Sequence, residues 1–443
     1  MAALQEGIYH APGRRPGRHF AALFLRVLPG VGARAAAAAL GDLWEMLQDL
    51  KGGRVRDLPG VGLTVDQDDM TVLLGFGRNA FALDGVGLRR PRGLADEYLF
   101  RSADPAGGGP LLRGSGLSYA PVVSANMATE AFCVQVIAES KLAVDRAVVE
   151  TWKVLSDASE PALELTTFYL GNQRNDHRSW IDFHDGLSNL RSEDREGVIA
   201  IGPGTDEPWA VGGTYLAFLR IAVDLPGWRR LSRADQELAV GRDKLSGCPI
   251  VDAGGDGPRV DPGCPVAGTQ IWESANDAQF SEPPEVSDPL VRASHVQRAN
   301  HHIRPASDSG SRRIFRQGYE FLEWADTRSP GGSQGTGCGP GFRAGLNFVS
   351  FQDTPARLLK MLTAGGWLGG ANFGGDEAKL PELASLLSVF AAGVYFVPPV
   401  VDGEPFPGAA ALGAAIAARP PVEPGSTARP DPTITGGAPA PPA

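Results

Sequence analysis

The sequence predicts an α+β fold assembled from two units of similar plan. Three observations carry that prediction. Apolar runs of strand length are mixed with amphipathic helical stretches, without the strict βαβα alternation of a parallel sheet. A similar order of elements begins again after residue 210. The chain of 443 residues is long enough to bury one large core or two to three smaller ones.

Taken in order, Phe20–Leu28 is a mostly apolar strand. Ala35–Leu50 has helical period, with Leu40, Leu43, Leu47 and Leu50 on one face. Met70–Gly77 and Glu130–Ala138 read as strands, with a Gly- and Pro-rich loop at Arg101–Pro121 between them. Leu142–Leu155 reads as a helix and Leu163–Tyr169 as a strand. In the second half, Thr214–Val223 is a strand and Ser232–Lys244 a polar-faced helix. Asp252–Asp288 is long for a loop and rich in Gly, Pro, Asp and Ser, as functional or covering loops often are. Arg312–Leu322 and Leu346–Phe351 are strands, Ala356–Leu362 a helix and Gly393–Pro399 a last strand. Pro420–Ala443 holds almost no large apolar residue and is expected to be disordered.

The formal charge of -10 argues against nucleic acid or an anionic membrane as the main partner. No segment approaches the length of a membrane span. Arg14-Arg15 raises a twin-arginine export signal, but Arg26 interrupts the apolar run that follows, and that run fits a first core strand better. The protein therefore reads as cytoplasmic. Four cysteines in such a length are no disulfide framework, and no CxxC motif offers a zinc or iron–sulfur site. Cys133 lies in an apolar strand as a buried thiol. Cys248 and Cys264 flank a Gly/Pro/Asp loop, where a reduced pair is expected in the cytosol.

The chemistry centres on Ala293–Phe321. His295 opens a short helical run, a polar loop follows, and RRIFRQGYEF returns as a strand. A histidine there can ligate a metal, and an arginine on the returning strand can reach the metal's other face. Haem iron is one metal that uses a single axial histidine and leaves the opposite side open.

At these residues the chain resembles the dye-decolorizing peroxidases. SHVQRAN followed by RIFRQG is similar to that family's proximal-histidine segment. WIDFHDGLSN (Trp180–Asn189) resembles its distal G-x-x-D-G signature, and GLNFVSFQ (Gly345–Gln352) its late core strand. Fainter echoes occur at LQEGIYH, GGTYLAFLR and GRDKLSGCP, so the likeness spans roughly residues 4–400. It implies two ferredoxin-like domains with antiparallel sheets, of the dimeric α+β barrel type, with haem in the C-terminal one. The divisions expected are 1–205, 206–418 and a tail at 419–443.

The resemblance implies one haem b per chain, its iron held through His295. Taken alone, a lone histidine is more often structural; the neighbouring motifs reverse that weighting. A zinc site from His295, His301 and His302 lacks the i,i+4 spacing of helical ligands. Asp353 is the expected carboxylate behind the proximal imidazole, although the family places its acid at the position of Thr354 here. Asp185 is the distal acid/base that shuttles a proton between the two peroxide oxygens; the competing reading is an ordinary Asp-Gly turn. Arg316 is the distal cation that stabilises charge on the departing oxygen, with Arg312 and Arg313 as rivals by type. Phe183, Gly186, Leu187, Ser188, Asn189 and Asn300 are implied to contact the cofactor, and Leu346 and Phe348 to wall the distal pocket; plain core packing fits the last two equally well. Asp182 stands where the family has its first glycine, a position that favours an unusual backbone shape. Trp180, Trp209, Trp324, Tyr215 and Tyr319 are relay candidates by type only, since most tryptophans are partly buried core or rim residues.

The function implied is peroxide-dependent one-electron oxidation of dyes, phenolic compounds or metal ions. The alternative is a haem-binding or haem-iron-handling protein with weak turnover. The partners expected are hydrogen peroxide and a reducing substrate, with no nucleic acid and no membrane. A homo-oligomer, and docking of the C-terminal tail to a shell protein, are left open.

Overall fold

The computed structural model describes residues 3–9, 17–57, 70–95, 130–176, 178–187, 189–190, 192–264, 284–300, 313–324, 341–362 and 387–413. The first half comprises β1 (His19–Val27), α1 (Ala33–Lys51), β2 (Thr71–Phe76), β3 (Phe132–Ala138), α2 (Lys141–Ser156) and β4 (Leu163–Asn172). Its strands lie in the order β2-β3-β1-β4, each neighbour antiparallel. The run Phe20–Leu25 is apolar at every position, which a strand tolerates only when both faces are covered. Ala21, Leu23 and Leu25 face α1 and α2, while Phe20, Ala22 and Phe24 face the opposite way. Leu40, Leu43, Leu47 and Leu50 are all buried, as their helical spacing requires.

The second half runs α3 (Ser192–Ile199), β5 (Thr214–Val223), α4 (Leu225–Arg230), α5 (Arg233–Val240), β6 (Ile250–Asp252), β7 (Arg259–Val260), α6 (Pro289–Arg292), α7 (His295–Asn300), β8 (Phe315–Arg316), β9 (Tyr319–Trp324), β10 (Phe342–Gln352), α8 (Pro355–Leu362) and β11 (Leu387–Val397). Its large sheet has the order β11-β5-β10-β9, again antiparallel. Both halves thus place their first and third long strands centrally, the arrangement of a ferredoxin-like unit. The sheets touch at Phe76↔Phe396 and Asn172↔Glu320. Between them Phe20, Phe24, Leu73 and Cys133 pack on Phe218, Tyr319, Val349, Phe351 and Tyr395. The other face of the second sheet carries Leu219, Ile221 and Phe348 toward Ala299 of α7 and Leu358 of α8. The site is built on that face.

Three local expectations change. The strand expected at Arg312–Leu322 is interrupted at Gln317-Gly318, yet Arg316↔Ser350 and Tyr319↔Asn347 keep one register. The helix expected to reach Lys244 stops at Val240, because Gly241 takes φ 84° and caps it. Cys248 and Cys264 form a disulfide rather than a reduced pair. Cys133 is a buried thiol, as read from its strand. Among the described residues no helix is long and apolar enough to cross a membrane. The loop at Arg101–Pro121 and the tail at 419–443 lie outside the described residues.

Candidate active site

Side chains alternate along a strand, so Arg316, Gly318 and Glu320 share one face, opposite Ser350, Phe348 and Leu346 of β10. Ile221 of β5 pairs with Leu346 on that face. The loop from Arg178 to Leu190 folds over it. Asn189 holds the Arg316 backbone at both ends: its Oδ1 accepts from the Arg316 N–H at 3.2 Å, and its Nδ2 donates to the Arg316 carbonyl at 2.9 Å. The Arg316 guanidinium donates to the Leu187 carbonyl at 2.9 Å. Asp185 lies over Gly318, where an added Cβ would stand 3.4 Å from its Oδ2 and 3.1 Å from Leu346 Cδ1. Asp185, Gly186, Asn189 and Arg316 line one pocket with Glu320. Burial pulls the Arg316 pKa below its ordinary value, and the nearby charge of Asp185 opposes that shift.

Asp182 is the single non-glycine residue with positive φ, 67°, among the described residues. It takes the left-handed backbone that a glycine adopts freely. Its side chain is 65% exposed, with Oδ2 3.7 Å from Lys244 Nζ. Arg178 Nη1 donates to its carbonyl at 2.7 Å. The departure from the family motif therefore keeps the turn and points the added carboxylate outward.

His295 begins α7, beside the end of α5. Gly241 makes that contact: a Cβ there would lie 2.3 Å from Ser294 Oγ and 2.5 Å from Val296 Cγ2. The close approach brings Arg242 beside His295. Burial first, then the charges of Arg316 and Arg242, hold the His295 pKa down to about 3. Burial likewise lowers Arg242 to about 9, with Arg316 adding to the effect. An imidazole and two guanidiniums therefore share one electrostatic neighbourhood. His295 is half-buried. Leu346, Phe348 and Ile221 are also half-buried there. A neutral imidazole, apolar walls and two cationic groups fit a flat, largely apolar macrocycle that carries a metal and acidic substituents.

Several expected contacts differ. Phe183, expected to contact the cofactor, is 4% exposed and packs edge-on to Trp228 at 6.1 Å, which supports the loop. The Leu187 side chain packs on the disulfide, and it is its carbonyl that faces Arg316. Asp353 gives both oxygens to Arg357, at 2.6 and 2.9 Å, and the charges acting on His295 come from the arginines. The partner is Arg357 of α8, four residues on. Arg313 lies 3.4 Å from Asp194, away from the competition with Arg316. Ser188, His301, His302 and Arg312 lie outside the described residues, as does the side chain of Asn300. Sequence reasoning missed Arg242 and Glu320. The GRDKLSGCP echo held a signal for Arg242; Glu320 needed only the period-two count from Arg316.

The family model for the C-terminal part of Dyp-type peroxidases matches residues 176–402, just over half of the chain. A dye-decolorizing peroxidase of Thermobifida fusca is 31% identical over 152 residues, which cover 33% of this chain and 26% of that protein, so the match spans about a quarter of this relative. Among solved structures, ferric DtpA from Streptomyces lividans is similar at TM-score 0.64 and 20% identity, covering 93% of this chain and 98% of that one. A DyP-type peroxidase from Cellulomonas bogoriensis gives 0.62 and 18%, covering 92% and 96%. The encapsulated DyP-type peroxidase from Mycobacterium smegmatis gives 0.57 and 16%, covering 90% and 96%. These likenesses show the fold, and with the matched family model they show that the chain belongs to the dye-decolorizing peroxidase family.

Proposed function

We propose that the protein is a haem peroxidase that uses hydrogen peroxide to oxidise dyes, phenolic compounds or metal ions in one-electron steps. The observation that carries this reading is the meeting of Asp185 and Arg316 over the sheet face that His295 also adjoins. One haem b per chain, with iron bound through His295, supplies the redox chemistry when present. Phe348, Leu346 and Ile221, on one face of the sheet, would give the cofactor an apolar wall. An Asp185 carboxylate oxygen takes the proton from one peroxide oxygen and returns it to the oxygen that departs as water. The Arg316 guanidinium stabilises negative charge on that departing oxygen, and Asn189 and the Leu187 carbonyl hold it in place. Arg242 is suited to pair with an acidic substituent of the cofactor.

A haem carrier with weak turnover drew its support from Asp182 and Asp353. Asp182 adopts the turn of a glycine, which weighs against the first argument, while the pairing of Asp353 with Arg357 leaves the second standing. Oxidation of a dye by purified, haemin-loaded protein and peroxide tests the reading. Sustained turnover supports it, and a Soret band without turnover favours the carrier. The disulfide favours an oxidising compartment over the cytoplasm expected from the sequence. One of the similar solved structures is an encapsulated DyP-type peroxidase, which gives some support to docking of the C-terminal tail in a shell. Self-association remains part of the proposal, as does the division near residue 205.

A further inference from the structure

Glu320 sits on the strand face that presents Arg316, four residues on, and lines the same pocket as Asp185. It is 5% exposed. Its Oε1 accepts from the Trp180 backbone N–H at 2.6 Å, while its Oε2 is buried without a hydrogen-bond partner. No cation among the described residues forms a salt bridge with it. The guanidiniums lining the pocket are engaged elsewhere. Arg174 pairs with Asp176 at 2.5 Å and lies 5.6 Å over the Trp180 ring. Arg178 donates to the carbonyls of Asp182, Lys244 and Leu245. Arg195 donates to the carbonyls of Leu190 and Tyr9, and Arg316 to that of Leu187. A carboxylate in such a place, without a paired cation, is costly, and the group keeps its proton instead.

We propose that Glu320 is a positioning residue for Asp185: a neutral buried acid that leaves Asp185 as the pocket's proton-accepting carboxylate, and whose ionisation sets the alkaline limit of proton transfer there. The groups that face it agree. Burial first, then the Asp185 charge, raise its pKa to about 8 against the opposition of the Trp180 N–H and Arg174, with Asp176 adding a smaller upward push. Below that pH the pocket holds a single carboxylate charge beside Arg316. Above it a second negative charge faces Asp185 across the pocket and alters the field in which a proton is exchanged there. The strand placement also explains why a neutral amide would serve: Gln at this position still accepts from the Trp180 N–H.

This inference rests on Asp185 being the proton-transfer group, and its test has an arm that needs no haem. Infrared pH-difference spectra of the haem-free protein should show a protonated-carboxyl stretch lost near pH 8. Glu320→Gln should abolish that band, and Asp185→Asn should move its loss to lower pH. In the haem-loaded enzyme, Glu320→Gln should raise the ratio of alkaline to acid peroxidase rate by about tenfold, with the alkaline limit displaced by about one pH unit or more. A band that persists in Glu320→Gln, or one unaffected by Asp185→Asn, overturns the coupling. An unmoved alkaline limit beside a lost band also overturns the proposal, leaving Glu320 a mere buried acid. A wild-type enzyme inert to peroxide, with the infrared arm as expected, would sink the peroxidase reading while the Asp185–Glu320 coupling stood.

Discussion

Gly241→Ala tests whether the junction of α5 and α7 holds the site together. Gly241 has φ 84°, where an alanine costs about 1–2 kcal/mol. Its new Cβ would stand 2.3 Å from Ser294 Oγ and 2.5 Å from Val296 Cγ2, both inside contact distance. Ser294 is 1% exposed and Val296 9%, so neither has solvent to move into. Overpacking of this kind costs about 1–3 kcal/mol, which gives a total of about 2–5 kcal/mol. Because His295 lies between the two displaced residues, haemin affinity should also fall by about tenfold or more, as when a metal ligand loses its supporting contacts. Urea unfolding of the haem-free protein and haemin titration measure the two effects. Gly197→Ala is the control: it is in the interior of α3, with nothing within 4 Å of the new Cβ. That change should stabilise by about 0.5–1 kcal/mol. The reasoning fails if Gly241→Ala is as stable as the control. It fails equally if stability drops while haemin affinity stays the same, since the junction would then bear on the fold and not on the site.

Other expectations follow from the same contacts. Asp185→Asn and Arg316→Leu should each lower peroxide-dependent oxidation by about 10²–10³-fold with haem retained; stopped-flow mixing with peroxide checks this, and unchanged rates would misplace the distal face. Asp182→Gly should raise stability by about 1 kcal/mol in denaturant unfolding, because it relieves a left-handed backbone and loses only an exposed contact to Lys244. Replacing Cys248 and Cys264 by serine should cost about 3 kcal/mol, the value for a closed loop of this size, given their separation of 16 residues. Equal urea midpoints with and without the bond would show that it constrains nothing.

The local record of the chain was legible where one face or one period dominated. Leu40, Leu43, Leu47 and Leu50 announced α1, and the apolar run at Phe20–Leu25 announced a strand covered on both sides. Arg316 and Asp185 were legible because each sits in a motif with its own spacing, and the pocket does bring them together. What the sequence hid were choices between partners. Asp353 was expected behind the His295 imidazole, and its i,i+4 spacing gives it Arg357 as a salt-bridge partner. Phe183 was expected to contact the cofactor, and its ring packs edge-on to Trp228, far along the chain. The period-two count from Arg316 placed Glu320 on the same face, but its burial comes from the segment around Trp180, whose N–H donates to it. The cysteine bond likewise depends on how the loop brings two distant thiols to a Cα separation of 6.0 Å, within disulfide range.

The most direct test of the whole account is a haemin titration of the purified chain, followed by its Soret absorption, in the native protein and in His295→Ala. The account predicts saturation at one haem per chain in the native protein and a large loss of affinity in the variant. Equal uptake by both would show that His295 does not hold the iron. A chain that takes up no haemin at all would contradict the cofactor, and with it the roles given to Asp185 and Arg316.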